Sequence, residues 1–142
     1  MSQISVAEFQ SLIDTELPLV KLFGMRTETI GHGRASLRMH FNPDLIRPGG
    51  TIAGPALMAL ADATLYAVVL GMIGKVELAV TTSLNINFLR KPPQADVIAE
   101  GRILKLGKRL AVGEVLLYSE GNDEPVAHVT GTYSIPPHPP IK

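Results

Sequence analysis

The chain has 142 residues and a mass of 15.2 kDa, room for one domain spanning 1–142 whose core needs no covalent staple, because a chain of this size buries roughly 68–70% of its unfolded surface. Cysteine is absent, which removes disulfides, thiolate metal sites and a cysteine nucleophile, and fits a reducing, cytoplasmic compartment. Lys+Arg and Asp+Glu each count 13, so no global field draws the protein to nucleic acid or to an anionic membrane.

The first predicted element is a helix over about 5–17. Ser5 and Glu8 have capping-box spacing, and Val6, Phe9, Leu12 and Ile13 form one apolar stripe. Pro18 interrupts it and Gly24 closes the next turn. Two short strands flank Gly31-His32-Gly33; on the second, Ala35, Leu37, Met39 and Phe41 alternate with Arg34, Ser36, Arg38 and His40, the period of a half-buried strand. Asn42-Pro43 breaks that strand, and a loop containing Pro48, Gly49 and Gly50 follows.

A long central helix is predicted over about 55–73, with Pro55 in its first turn and Gly71 and Gly74 at its end. Apolar residues occupy its whole circumference, as in a helix buried on most sides. From Thr51 to Gly74 the only charged residue is Asp62, and the segment is long enough to cross a bilayer. Pro55, the mid-helix Asp62 and the half-polar strands elsewhere, which need this helix as their core, favour a globular interior instead.

Four strands finish the chain. Leu84, Ile86 and Phe88 alternate with Ser83, Asn85 and Asn87 until Pro92-Pro93; the next run spans about 95–106, turns at Gly107-Lys108 into 110–119, and the last spans 126–135. A proline-rich tail, 136–142, follows. Helix, two strands, long helix, four strands is an α+β order. A buried helix of about 18 residues is roughly 27 Å long and needs a broad sheet to wrap it. A six-stranded antiparallel sheet around a central helix is the hotdog fold.

Several chemistries lack their residues. No Gly-x-Ser-x-Gly elbow and no glycine-rich phosphate loop is present, and His32, His40, His128 and His138 have no metal-ligand spacing, which places them on exposed strand faces or in the tail. Asp62 stands out, since burying a carboxylate without a partner is costly. It is either a structural group bonded to another element or a base or nucleophile beside a ligand cavity. Tyr66, one turn on, is core or lines the same cavity. The helix start carries amides without helical acceptors, suited to an oxyanion; Pro55 has no N–H, which leaves Gly54 as the donor. Six of the 13 basic residues fall between Arg90 and Arg109 (Arg90, Lys91, Arg102, Lys105, Lys108, Arg109), so an anionic partner is expected to dock there.

From about Phe41 to Ile135 the chain resembles the hotdog-fold acyl-CoA thioesterases of the phenylacetate-degradation (PaaI-like) type. Ala53-Gly54-Pro55 stands where that family has His-Gly-Gly, and Asp62 lies at the family's spacing for a catalytic carboxylate, seven residues after the last glycine. The run Val80-Thr81-Thr82-Ser83-Leu84-Asn85-Ile86-Asn87-Phe88-Leu89-Arg90 is similar to its following strand. Gly107-Lys108-Arg109-Leu110-Ala111 is similar to the turn beside the coenzyme A phosphates, and Val126-Ala127 with Gly131-Thr132-Tyr133 to the closing strand.

The resemblance implies hydrolysis of a small to medium acyl- or aryl-acyl-coenzyme A. Asp62 would be base or nucleophile, the Gly54 amide would face the thioester oxygen, and Thr81 would hold the water. Arg47, Ala53, Pro55 and Tyr66 would lie along the substrate, with Arg90, Lys91, Lys108 and Arg109 toward its phosphates. It further implies a homodimer or a dimer-of-dimers tetramer with sites between subunits, and no metal or redox cofactor, coenzyme A being part of the substrate. Two departures stand out: the motif histidine is Ala53, with its second glycine Pro55, and the loop asparagine of many members falls at Arg47. A non-catalytic acyl-CoA-sensing module is the alternative those departures suggest. An enoyl-thioester hydratase is another, although no histidine lies within 20 residues of Asp62.

Overall fold

Ser5 starts the first helix as its spacing with Glu8 requires. Its hydroxyl accepts from the Glu8 amide at 3.1 Å while the Glu8 carboxylate accepts from the Ser5 amide at 2.9 Å. The structure, a computed structural model, describes residues 1–137, so the tail predicted over 136–142 lies outside it from 138 onward, as does His138. Helix α1, Val6–Glu16, buries Phe9, Leu12 and Ile13, and the short α2, Leu19–Leu22, follows. Strands β1, Met25–Gly31, and β2, Arg34–Met39, form the first hairpin around Gly33, whose φ of 73° suits glycine. On β2, Ala35, Leu37 and Met39 are buried in strict alternation, as their spacing predicts.

A single 3-10 turn, Pro43–Leu45, leads to the central helix α3, Gly54–Ile73. Gly74, at φ 87°, ends it. Then come β3, Val80–Phe88; β4, Val97–Leu106; β5, Leu110–Ser119; and β6, Ala127–Ser134. All pairings are antiparallel, in the order β1-β2-β4-β5-β6-β3, so the six strands form one sheet with β1 and β3 at its edges. This is the hotdog architecture.

Helix α3 lies in the concavity of the sheet. Leu57, Leu60, Leu65, Val68 and Leu70 are essentially without exposure, and a fully buried side chain of this kind contributes about 1.5–3 kcal/mol. Three glycines let the helix approach the strands. A Cβ at Gly113 would stand 2.8 Å from Leu65 and one at Gly131 2.5 Å from it, and these two glycines pair across β5 and β6. Gly101 on β4 does the same beneath Thr64 and Val68, where a Cβ would stand 3.0 Å from each. The helix has the length and apolarity of a membrane span, but 67% of its most apolar window is buried inside the protein.

Strand β3 departs from the half-buried pattern predicted for it. Leu84 and Ile86 are half-buried, whereas Val80 and Phe88 are more than half exposed. The reason is that α3 packs chiefly against β2, β4 and β5 and leaves the outermost β3 only partly covered.

Candidate active site

Asp62 is the only charged residue of α3, set between the buried Ala61 and Ala63, and is itself half-buried. Two neighbouring strands meet it. Thr81 on β3 and Tyr133 on β6 are register partners, and each directs its hydroxyl at the carboxylate. Thr81 Oγ1 donates to Asp62 Oδ1 at 2.5 Å; Tyr133 Oη donates to the same oxygen at 2.7 Å and lies 3.0 Å from the Asp62 carbonyl. Both donors therefore fix one oxygen, and Oδ2 has no protein donor among the described residues. The Tyr133 phenol is pushed well above its ordinary value, first by burial and then by the Asp62 charge, so it remains protonated and a donor. Because Thr81 gives its proton to Asp62, it meets any water only as an acceptor, a narrower part than the water-holding role expected of it.

The carboxylate opens on a cavity of about 390 Å³ between α1, α2, α3 and residues 77–81. Its walls are mainly apolar, Leu12, Ile13, Val20 and Ala63 among them. Tyr66 lines it as well, stacked on Tyr133 with ring centroids 6.1 Å apart and tilted against Phe9 at 5.7 Å. Tyr66 takes both of the places open to it, packing against the core with one part of its ring and lining the cavity.

Tyr133 is the site residue that sequence reasoning passed over. Its signal was weak: it falls on the buried phase of β6, but only the β3–β6 register puts it opposite Thr81.

The helix start is a separate place. Ala53 is the N-cap without any side-chain cap, its amide donating to Leu45 O at 2.8 Å, and Pro55 follows in the first turn. The Gly54 amide donates to no acceptor among the described residues, and the Phe88 ring packs beside Gly54, where a Cβ would meet it at 3.0 Å. Eight residues separate Gly54 from Asp62, about 12 Å along the axis. Arg47 is exposed on the preceding loop, whose backbone closes by Gly50 N–H to Arg47 O and Arg47 N–H to Thr51 O.

The basic residues between Arg90 and Arg109 do not form one patch within a protomer. Arg90 and Lys91 follow β3 at the Ala127 end of β6; Lys108 and Arg109 precede β5 at the Ser134 end. The eight residues of β6 span roughly 24 Å between them. Arg90 is tied to Pro125 O and Glu124, Arg102 to Glu114, and Arg109 to Ile135 O; Lys91 and Lys108 are exposed. Neighbours in sequence were parted because β4 runs the length of the sheet between them. Among the described residues, no three His, Asp or Glu side chains gather as a metal ion requires.

Comparison with known proteins places this geometry. Residues 49–126 match the family model of the thioesterase superfamily, a span that holds Gly54, Asp62 and Thr81 and stops before Tyr133. A Saccharolobus solfataricus protein provisionally named an esterase is 32% identical over 93% of this chain and 86% of its own. A Silicibacter protein provisionally assigned as a thioesterase superposes with a TM-score of 0.88 at 38% identity, covering 96% of this chain and 95% of that one. A variant of the phenylacetic acid degradation protein PaaI of Thermus thermophilus superposes at 0.74 with 28% identity, covering 83% and 98%.

Proposed function

The chain belongs to the thioesterase superfamily and is a thioester hydrolase, and from that premise we propose that it cleaves small to medium acyl- or aryl-acyl-coenzyme A with Asp62 as the reactive carboxylate. The observation that carries this is the lone helix carboxylate beside an apolar cavity, one oxygen held by Thr81 and Tyr133 and the other without a protein donor among the described residues. Fixing Oδ1 orients the group and leaves Oδ2 to act. As a base, Oδ2 takes a proton from water while the water oxygen attacks the thioester carbonyl carbon. The C–S bond then breaks, the thiolate recovers the proton, and the acid and coenzyme A leave. As a nucleophile, the carboxylate attacks that carbon itself, expelling the thiolate to give an anhydride that water opens.

The carbonyl oxygen needs a donor, and we assign it the Gly54 amide. One thioester cannot meet Asp62 and Gly54 of the same chain across about 12 Å, so the helix start comes from a second copy. A homodimer is the minimum assembly and a dimer of dimers its extension; the exposed apolar Leu78, Val80, Phe88 and Leu89 along the β3 edge suit such a partner. Ala53 offers that oxygen no polar group, and one lost donor at such a site typically costs about 10²–10³ in rate. Arg47 and Pro55 flank this helix start. Lys108 and Arg109, nearer the Asp62 end of the sheet, are assigned to the coenzyme A phosphates of the thioester bound at Asp62; Arg90 and Lys91 stand at the Gly54 end. The reaction calls on no metal or redox cofactor, and a coenzyme A substrate suits a cytoplasmic enzyme.

The test is a screen of straight-chain and aryl-acyl coenzyme A thioesters with detection of the released thiol. Release under multiple-turnover conditions is expected for part of the set. Saturable binding with no release across all of it would identify an acyl-CoA-sensing module instead.

A further inference from the structure

Asp62 and Thr81 line one part of the 390 Å³ cavity, and two more carboxylates line it elsewhere: Glu16 at the end of α1 and Glu77 before β3. Tyr66 stands between. It is one helical turn beyond Asp62, about 6 Å along the axis, and its hydroxyl donates to Glu77 O at 2.9 Å. The Tyr66 phenol is raised by burial first and then by the charges of Glu77 and Glu16, which line the same cavity. Both carboxylates are exposed and neither makes a hydrogen bond or ion pair among the described residues; no Lys, Arg or His among those residues lines this cavity, while Lys75 lines a second pocket together with both glutamates.

We propose that this cavity takes the acyl chain and selects chains with an uncharged far end, Glu16 and Glu77 being the residues that reject an ω-carboxylate. The proposal rests on the thioesterase reading and narrows its substrate class. An acyl chain attached at Asp62 runs over the stacked faces of Tyr133 and Tyr66 toward the two glutamates. A methyl or ring terminus there loses only water. A terminal carboxylate there faces two like charges with no cation among the residues lining the cavity, a discrimination made by repulsion.

The experiment compares octanoyl-CoA with octanedioyl-CoA, its ω-carboxylate counterpart, in the full chain and in the double variant Glu16→Gln/Glu77→Gln. The parent protein should favour octanoyl-CoA by at least about tenfold in kcat/KM, and the ratio should fall toward one in the variant. Equal turnover of the two substrates by the parent would overturn the proposal, as would a ratio unchanged by the double substitution. Binding of the two non-hydrolysable thioether analogues, followed by calorimetry, reads the cavity apart from catalysis. Discrimination in binding without any turnover would sink the hydrolase reading while sustaining the cavity assignment; equal binding of both analogues would sink the cavity assignment itself.

Discussion

Replacing Asp62 by Asn tests the centre of the mechanism with the least disturbance to the fold. The amide oxygen can accept the same two hydroxyls that Thr81 and Tyr133 now donate to Oδ1. A hydrogen bond to a charged acceptor is worth about 1.5–3 kcal/mol and one to a neutral acceptor about 0.5–1.5, so two such bonds forfeit about 2–3 kcal/mol in all. Removing a half-buried charge returns part of that through relieved desolvation. The net loss should therefore be about 1 kcal/mol, a fall in Tm of a few degrees. Activity should respond far more. Loss of a positioned base costs about 10²–10⁴ in rate, and a fall of at least about 100-fold, a barrier higher by about 2.7 kcal/mol, is expected. Thiol release from an acyl-CoA, measured beside a thermal melt, separates the two effects. Turnover within about threefold of the parent would refute the role given to Asp62, and loss of the cooperative melt would make it a structural carboxylate.

Tyr133→Phe keeps the carboxylate but removes one of its two holders; kcat should drop about tenfold with KM little changed, and a change confined to KM would contradict the orienting role. Neutralising Lys108 and Arg109 together should weaken acyl-CoA binding yet spare an acyl-pantetheine thioester lacking the nucleotide phosphates, and equal losses on both would remove those residues from phosphate recognition. Asp96 provides the pH prediction. Burial opposes its ionisation, but the Phe41 amide, Arg38 and His40 outweigh burial and hold its carboxyl below the usual range. A depressed folded value means that its stabilisation is complete above the ordinary aspartate range and disappears as pH falls through the lowered one. Denaturant melts of Asp96→Asn should accordingly lose less stability than the parent between neutral pH and about pH 3, and parallel curves would show that Asp96 contributes nothing to acid sensitivity.

Much of this protein was legible in one dimension because the signals were local. Capping chemistry fixed the start of α1 at Ser5, and the alternation on β2 matched its buried face at Ala35, Leu37 and Met39, while Phe41 falls beyond the strand's end and is half-buried. The uniformly apolar α3 announced a core helix, and a single acid within it drew attention because an ionised group there needs a reason. Departures arose wherever a property belonged to a pair of elements. The alternation of β3 spoke of a half-buried strand, but its edge position left much of that face open. The basic run from Arg90 to Arg109 looked like one patch until β4 separated its ends.

The sequence by itself determined the order of the main elements, all but the short α2, the hotdog class and the lone acid of the central helix, because period, caps and an isolated charge are written in neighbouring residues. Only the tertiary structure decided what surrounds that acid. Tyr133 lies 71 residues from Asp62, and no spacing rule connects them; the β3–β6 register sets Tyr133 beside Thr81 and brings both hydroxyls onto one oxygen. The seat of the helix was settled the same way, by Gly113 and Gly131 meeting across two strands beneath Leu65, where absent side chains permit a close approach. Glu16 and Glu77 share one cavity because the fold brings the end of α1 and the chain leading into β3 to its walls. Such contacts arise from chain segments brought together only by folding, so their geometry could not be read before the fold was known.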